Sequence, residues 1–364
     1  MPRIRLNLPG GSGLDRSYDI LVRPGAIGEI GPTLSGLGVR RTVILVDAAI
    51  QATHGSAVAV AIGGSGIACS TIVVPSGETS KSVAEAARIW ESMALEAVDR
   101  KTHVLAVGGG VVGDLAGFVA ASFARGLPCW QVPTTLVAQV DSAIGGKTGV
   151  NLAAGKNLVG AFWQPRGVFC DIGVLATLPE REFVSGLAEV VKYGMILDAD
   201  FFDWLERNVD SILARDASAL TTVVERSAAI KAQVVEQDER EQTGLRAALN
   251  YGHTFGHAIE TASGYGSLLH GEAVAIGMHC AARLAESVGR IGPDVVDRQR
   301  KLLEAFRLPA VRRTFGGSPD ALIAIMLRDK KTVDGMLRFV LPSGIGRVEL
   351  VAGVDAAAVR RVLS

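Results

Sequence analysis

Short runs of β-branched residues, each followed by glycine or polar residues, recur through the first half of the chain. Helical patterns separate these runs, as in SKSVAEAARIWESMALEAV at positions 80–98. The alternation predicts βαβ units and therefore a doubly wound, mostly parallel sheet in an α/β domain. The predicted strands are RTVILVD (41–47), STIVVPSG (70–77), THVLAVGGG (102–110), CWQVPTT (129–135) and GVFCDI (167–172).

The pattern changes after LPEREF, at positions 178–183. Strand-like runs give way to hydrophobic residues at the 3.6-residue spacing that is typical of helices. One later stretch, FVLPSGIGRVELV at 339–351, has the pattern of a small hairpin. We therefore predict two domains, an α/β domain over 1–177 and a mostly α-helical domain over 178–364.

The composition excludes several classes of partner. The 364 residues include 37 Lys plus Arg and 37 Asp plus Glu, so the formal charge is zero. This neutrality gives no electrostatic support for binding nucleic acid or a membrane surface. The four cysteines are scattered without a CxxC pair, and the first residues, MPRIRLNLPGGSG, carry no apolar leader segment. We therefore expect a cytosolic protein with reduced thiols.

A glycine-rich loop lies in VLAVGGGVVGDLAGFVAA (104–121), between a predicted strand and a predicted helix. Gly108, Gly110 and Gly113 match GxGxxG, in which glycines let backbone amides approach a pyrophosphate. The loop follows a later strand than in the usual dinucleotide fold, and no acid about 20 residues on is placed to hold a ribose. Two other strand ends offer candidates for holding the ribose: Asp47 at one, and Ser76-Gly77-Glu78 at the other. A tight turn without a ligand is the alternative interpretation.

Two lysines stand among small residues in VPTTLVAQVDSAIGGKTGVNLAAGKNLVGAFWQP, at 132–165. Lys147 follows two glycines, and Lys156 follows a glycine and precedes Asn157. Small residues beside lysines allow backbone amides and ammonium groups to close around an anion. Together with Asp141, these residues indicate a phosphate or carboxylate site, whereas a solvated loop is the alternative.

A charged pair occurs in SGLAEVVKYG, at 185–194. Glu189 and Lys192 are three residues apart and share one face of a predicted helix. Their neighbours are apolar, which favours a buried helix over a surface ion pair.

Four of the six histidines lie between 253 and 279, within or next to GLRAALNYGHTFGHAIETASGYGSLLHGEAVAIGM (244–278). His253 and His257 share a helical face, although the stretch lacks the glutamate of HExxH. Catalytic zinc takes three protein ligands and one open position. His253, His270 and Glu189 would supply them, with Glu272 as a rival carboxylate. His257 would then serve proton or phosphate chemistry.

Taken together, these stretches resemble the 3-dehydroquinate synthase family. The resemblance runs from about Asp47 to Arg347 and includes GGGVVGDLAGF, VPTTLVAQVDSAIGGKTGVN, GKNLVGAFWQP, GLAEVVKYG and NYGHTFGHAIE in the family's order. It implies a nucleotide-binding α/β domain followed by a helical metal-binding domain. It also implies NAD⁺ as a recycled cofactor and a divalent metal, zinc or else cobalt. The implied reaction converts 3-deoxy-D-arabino-heptulosonate 7-phosphate to 3-dehydroquinate and phosphate.

The resemblance also implies roles for individual residues. The implied metal ligands are Glu189, His253 and His270. The implied catalytic residues are Lys192, Asp141, His257, Lys147 and Asn157. Further substrate contacts fall on Arg125, Lys231, Arg246, Asn250 and one of Lys330 or Lys331, of which we choose Lys331. Nucleotide contacts fall on Asp47, Ser76, Gly77, Glu78, Thr79, Ser80, Lys81, Gly110, Val111, Val112, Gly113, Asp114, Thr134, Thr135, Lys147, Lys156, Val174, Leu175, Ala176 and Thr177.

In the family, hydride passes to NAD⁺ and back around an elimination of phosphate, after which the ring opens and an aldol step closes the carbocycle. The arginine that matches Arg125 reaches a neighbouring subunit, which implies a homodimer. Three other functions remain open: a valiolone- or inosose-type sugar-phosphate cyclase, a metal-dependent dehydrogenase of the glycerol dehydrogenase type, and a non-enzymatic binding module. Lys231 and Arg246, as partners for a substrate carboxylate, favour the synthase over the other cyclases.

Overall fold

The computed structural model describes residues 3–8, 15–264, 267–310, 317–328 and 337–364. Its strands, in chain order, are β1 (Arg3–Leu6), β2 (Tyr18–Arg23), β3 (Arg41–Asp47), β4 (Ala68–Val74), β5 (His103–Gly108), β6 (Cys129–Pro133), β7 (Lys147–Leu152), β8 (Gly155–Phe162), β9 (Gly167–Asp171), β10 (Arg338–Gly344) and β11 (Arg347–Ala352). Among the described residues, none of the helices is both long enough and apolar enough to span a bilayer.

The helices begin with four that alternate with the strands of the first half, and the remaining ones follow residue 179. They are α1 (Ile30–Gly36), α2 (Ser56–Gly63), α3 (Val83–Leu95), α4 (Gly110–Ser122), α5 (Glu180–Leu197), α6 (Ala199–Arg207), α7 (Val209–Leu213), α8 (Ala217–Gln237), α9 (His253–Ala262), α10 (His270–Ser287), α11 (Pro293–Ala305), α12 (Pro319–Arg328) and α13 (Ala356–Leu363).

Contacts divide the chain into two compact units. The first unit comprises Met1–Leu178 and Ala217–Arg240, and the second comprises Pro179–Asp216 and Glu241–Ser364. The first break falls between residues 178 and 179, where the hydrophobic pattern changes. Helix α8 belongs to the first unit although it follows α5 to α7 in the chain. The sequence analysis did not predict this return of the chain.

The first unit contains a seven-stranded sheet in the order β1-β2-β9-β6-β5-β3-β4. The β1–β2 pair is antiparallel, and the other neighbours are parallel. All five strands predicted from the sequence are present within this sheet, so the mostly parallel α/β prediction is confirmed. Buried side chains of β3, β5 and β6 pack against helices on both faces, and such burial produces the continuous apolar runs seen in the sequence.

Four strands of the first unit were not predicted. Strand β2 alternates buried and half-buried residues, and β1 has only four residues. Strands β7 and β8 form an antiparallel hairpin. This hairpin contains Lys147 and Lys156, around which the sequence analysis predicted a phosphate or carboxylate site. Glycine serves close packing here, because a Cβ on Gly160 would lie 2.0 Å from the Thr148 carbonyl oxygen.

The order of strands reverses around β3. Strand β4 lies on one side of β3 and β5 on the other, so the chain turns back between them. At such a switch point, the loops after neighbouring strands separate and leave room for a ligand at the carboxyl edge of the sheet. The strand order therefore brings the residues that follow β3 and β5 to the edge of the sheet where a ligand has room to bind.

The second unit is mostly helical, as predicted, and α10 runs through its centre with 13 of its 18 residues buried. Helices α5, α9 and α11 pack against α10. The predicted hairpin at 339–351 is confirmed as the antiparallel pair β10–β11.

Two glycines allow the helices of the second unit to approach closely. A Cβ on Gly271 of α10 would lie 1.8 Å from the Ser185 carbonyl oxygen of α5. A Cβ on Gly277 of α10 would lie 2.1 Å from the Gly252 carbonyl oxygen, immediately before α9. Gly252 itself has φ +78°, a conformation that L side chains rarely adopt. These contacts fix the spacing of α5, α9 and α10.

Candidate functional site

The predicted nucleotide contacts of the first unit follow the ends of parallel strands, and such ends meet at one edge of a sheet. Asp47 ends β3, residues 76–81 follow β4, Gly110 to Asp114 open α4 after β5, Thr134 and Thr135 follow β6, and residues 174–177 follow β9. The topology therefore gathers at this edge residues that are as much as 130 positions apart in the chain (177 − 47).

Asp47 and Ser76 meet directly across this edge. The Ser76 hydroxyl donates to Asp47 Oδ1, which also accepts from the Ala49 amide at 2.9 Å. Both side chains are accessible. The carboxylate at the end of β3 is thus held by two donors and remains able to accept hydrogen bonds from a polyhydroxyl ligand.

The glycine loop leads straight from β5 into α4. Gly109 adopts an extended conformation as the N-cap, and the helix begins at Gly110. A Cβ on Gly110 would lie 3.0 Å from Ser142 Oγ, and one on Gly109 would lie 3.1 Å from the Thr135 methyl group. Glycine therefore keeps the first turn of α4 close to its neighbours, and the amides of that turn can bind an anion.

A buried lysine joins three segments beside this loop. Lys81 Nζ lies 2.5 Å from Asp114 Oδ2 on α4 and 2.5 Å from Asn157 Oδ1 on β8. Asn151 supports Asn157, since its side-chain oxygen accepts from the Asn157 amide at 3.0 Å. Burial raises the pKa of the Asp114 carboxyl, and the Lys81 ammonium opposes that rise. The sequence analysis did not single out Asn151.

A second ion pair connects the sheet domain with its returning helix. Lys231 on α8 lies 2.5 Å from Asp141 Oδ1, and Asp141 belongs to the short helical turn Ala138–Ser142. The sequence analysis assigned both residues to the substrate but did not predict that they contact each other. Lys147 begins β7 and is exposed, while Lys156 on β8 is half-buried.

Arg125 lies in a strained turn after α4. Ala124 and Arg125 have φ of 48° and 67°, and Gly126 follows with φ 122°. The Trp163 indole N–H donates to the Leu127 carbonyl at 2.9 Å, and its ring leaves no room for a Cβ on Gly126. Strained non-glycine residues persist where their surroundings hold them, and they cluster at functional sites.

Three ligating side chains converge in the second unit. Glu189, His253 and His270 each offer one ligand atom, and these atoms lie within 4.8 Å of one another. Glu189 Oε1 is 3.5 Å from His253 Nε2 and 3.4 Å from His270 Nε2. Two imidazole nitrogens and one carboxylate oxygen are a donor set that suits zinc or cobalt, and three protein ligands leave a fourth position for substrate.

The helix packing explains this convergence. Glu189 lies one turn after Ser185 on α5, and His270 precedes Gly271, where α5 and α10 touch. His253 is the first residue of α9, directly after Gly252. The glycine contacts described above therefore bring together one ligand from each of three helices.

Burial and charged neighbours together shift the pKa values of the ionisable groups in this cluster. Lys192, 1 % exposed, forms an ion pair with Glu189 and lies 5.1 Å from the centre of the Tyr193 ring. Burial lowers the pKa of His253 well below its usual value. Burial acts in the same direction on the pKa of His270, but the neighbouring carboxylates of Glu189 and Glu260 outweigh it and raise that pKa to about 9.

Other predicted residues take different places in the second unit. Glu272, the rival carboxylate, accepts from Arg181 Nε at 2.7 Å and from the Leu269 amide at 2.8 Å, so it caps α10. The His257 ring centre lies 5.3 Å from that of His253. Arg246 is buried, with Nε 3.9 Å from Glu241, and Asn250 is half-buried. Lys331 falls outside the described residues.

Comparison with known proteins finds similarity over most of the chain. Residues 71–185 match the family model described as 3-dehydroquinate synthase N-terminal, and residues 186–332 match 3-dehydroquinate synthase C-terminal. A protein of Desulforamulus reducens named 3-dehydroquinate synthase is 48 % identical over 351 residues, which cover 96 % of this chain and 97 % of the relative.

Solved structures of similar proteins agree with the fold. A 2-epi-5-epi-valiolone synthase from Streptomyces hygroscopicus, with NAD⁺ and Zn²⁺ bound, has a TM-score of 0.87 at 30 % identity and covers 95 % of both chains. A 2-deoxy-scyllo-inosose synthase complexed with carbaglucose-6-phosphate, NAD⁺ and Co²⁺ has a TM-score of 0.87 at 27 % identity, covering 95 % of this chain and 96 % of its own. The resemblance stated from the sequence is confirmed, and the chain belongs to the 3-dehydroquinate synthase family.

Proposed function

We propose that this protein converts 3-deoxy-D-arabino-heptulosonate 7-phosphate to 3-dehydroquinate and phosphate. The observation that carries the proposal is the set of Glu189, His253 and His270 beside the buried Lys192, in a chain of this family. Curated relatives of nearly the same length, at about half identity, bear the synthase name. The valiolone-type relative is less similar, at 30 % identity.

We assign two cofactors to the protein, NAD⁺ and a divalent cation. Glu189, His253 and His270 would hold the cation, and the amides at the start of α4 would hold the pyrophosphate of NAD⁺, with Asp47 accepting from its adenosine ribose. When bound, NAD⁺ takes a hydride from the substrate and returns it, and the cation polarises the reacting oxygen as a Lewis acid. The polar groups needed to hold both cofactors are present in the chain.

Lys192 is the residue that we assign to the reacting oxygen. Its side chain is buried next to the carboxylate of Glu189, and a nearby opposite charge favours the charged form of a lysine. A fixed cation in a site without water stabilises negative charge that develops on a substrate oxygen, without a cost of reorganisation at that moment. We assign proton exchange with the substrate phosphate to His257, which lies one turn after His253.

The substrate carries two anionic groups, a phosphate and a carboxylate, and its binding therefore requires several cationic side chains. Lys147 and Asn157 on the β7–β8 hairpin supply groups for the phosphate. Arg246, buried with its Nε 3.9 Å from Glu241, suits a planar carboxylate. Lys231 contributes a second cation, which Asp141 orients.

The reaction itself can be tested with purified protein and the heptulosonate phosphate. Because the same hydride returns to the substrate, we expect one phosphate released per 3-dehydroquinate formed, a requirement for NAD⁺, and no accumulation of NADH. Phosphate release by a coupled assay and NADH absorbance measure these quantities together. NADH that accumulates in step with product would instead support the dehydrogenase alternative.

Metal binding can be tested by substitution of the three histidines. His253→Ala and His270→Ala each remove a ligand. Loss of an outer-shell partner lowers metal affinity about 10–100-fold, and we expect the loss of a ligand itself to lower zinc affinity by more than that. His257→Ala is the matched control on the same helix and keeps the metal. Zinc content after dialysis, measured by mass spectrometry, checks this expectation, and equal content in all three variants contradicts it.

We also propose that the protein is a homodimer in which Arg125 serves the partner's phosphate site. Support comes from the strained turn that presents this exposed arginine. In a two-fold dimer, mixing inactive Arg125→Ala with inactive Lys147→Ala gives hybrids with one intact site, hence about a quarter of the wild-type rate after random exchange. Activity of the mixture tests this, once mass spectrometry has shown that hybrids form. Hybrids without activity contradict it.

A further inference from the structure

The His270 ring lies between two carboxylates. Its Nε2 is 3.4 Å from Glu189 Oε1, and its Nδ1 is 3.6 Å from Glu260 Oε2. Glu260 is on α9, seven residues and hence about two turns after His253, and only 12 % of its side chain is exposed. The same helix thus carries one metal-ligand candidate and a carboxylate that approaches another.

A neutral imidazole has one lone pair available to a metal and one N–H, and the acceptor of that N–H decides which nitrogen ligates. An outer-shell carboxylate at the N–H fixes the tautomer, orients the ring and makes the ligating nitrogen more basic. Glu260 stands where this acceptor is required. Its oxygen is on the Nδ1 side of His270, opposite the Nε2 that faces Glu189.

His253 has the same arrangement with a different acceptor. Its Nδ1 is 3.1 Å from the Tyr251 carbonyl oxygen, and its Nε2 faces Glu189. The Tyr251 side chain is anchored in turn, since its hydroxyl donates to the buried Gln299 of α11 at 2.5 Å. Both histidines therefore direct Nε2 toward Glu189 and have an oxygen acceptor at Nδ1.

We propose that Glu260 is a positioning residue of the metal centre, which holds His270 with Nδ1 protonated and Nε2 directed at the cation. This rests on the metal site of the proposed function. The charge of Glu260 contributes as well as its geometry: it adds a second carboxylate beside a divalent ion and the Lys192 ammonium, which is already paired with Glu189, and an unbalanced buried charge is costly.

The test is the zinc affinity of the metal-free protein, measured by competition with a chromogenic chelator. Glu260→Gln keeps the size and an acceptor oxygen but loses the charge, and we expect affinity to fall about 10–100-fold. Glu260→Asp restores the charge at a shorter reach and should recover part of that loss. Glu286→Gln, a carboxylate at the far end of α10, is the matched control and should bind zinc as the wild type does.

Affinity in Glu260→Gln equal to that of the control overturns the inference and leaves the metal site intact. Wild-type protein that fails to bind zinc overturns both. A measurement on the wild type needs no variant to fold: nitrogen-15 NMR of the zinc-loaded protein should show His270 protonated at Nδ1 and metal-bound at Nε2. The opposite tautomer contradicts the role of Glu260.

Discussion

The close approach of α10 to α5 and to the start of α9 is the constraint on which the second unit depends. At Gly271 and Gly277 the neighbouring backbone occupies the place of a side chain. Helices usually pack with their axes 8–10 Å apart, and the smallest residues permit the shortest separations. Glu189, His253 and His270 lie on three different helices, so the distances between their ligand atoms depend on how far apart those helices lie. The metal-ligand geometry is thus a consequence of glycine placement as much as of the ligands themselves.

The first unit brings its polar residues together in a different way. Parallel strands buried on both faces end at a common edge, and each loop after a strand adds one or two polar groups there. Lys81 then ties the loop after β4 to α4 and to the β7–β8 hairpin, through Asp114 and Asn157. A buried lysine with two oxygen partners is a rigid element, because its charge would be costly without them. This rigidity suits the anion-binding role that we propose for these residues.

Much of this was predictable from sequence, and the omissions have physical causes. Buried parallel strands have continuous apolar runs, whereas the short β1 and the glycine-rich β7–β8 hairpin lack that pattern. The residues alone left Glu189 and Glu272 as alternative carboxylates, and the family resemblance implied Glu189. The structure brings Glu189 together with His253 and His270, whereas Glu272 contacts Arg181. Glu260 resembled an ordinary helix acid, because its partner is on another helix. The return of α8 to the first unit depends on tertiary contacts that local patterns do not encode.

The most direct test of the account is the zinc affinity of Gly271→Ala. The added Cβ would lie 1.8 Å from the Ser185 carbonyl oxygen, so α5 and α10 must separate. Overpacking of this kind costs about 1–3 kcal/mol of folding stability. Zinc binding must draw the three ligands together against the separation of the helices, and each 1.4 kcal/mol of cost that falls on binding weakens affinity about tenfold. Gly63→Ala in α2, where a Cβ meets nothing within 4 Å, is the control. We predict a folded Gly271→Ala protein that binds zinc at least about tenfold more weakly than the control. Equal affinity would contradict the claim that helix spacing assembles the site.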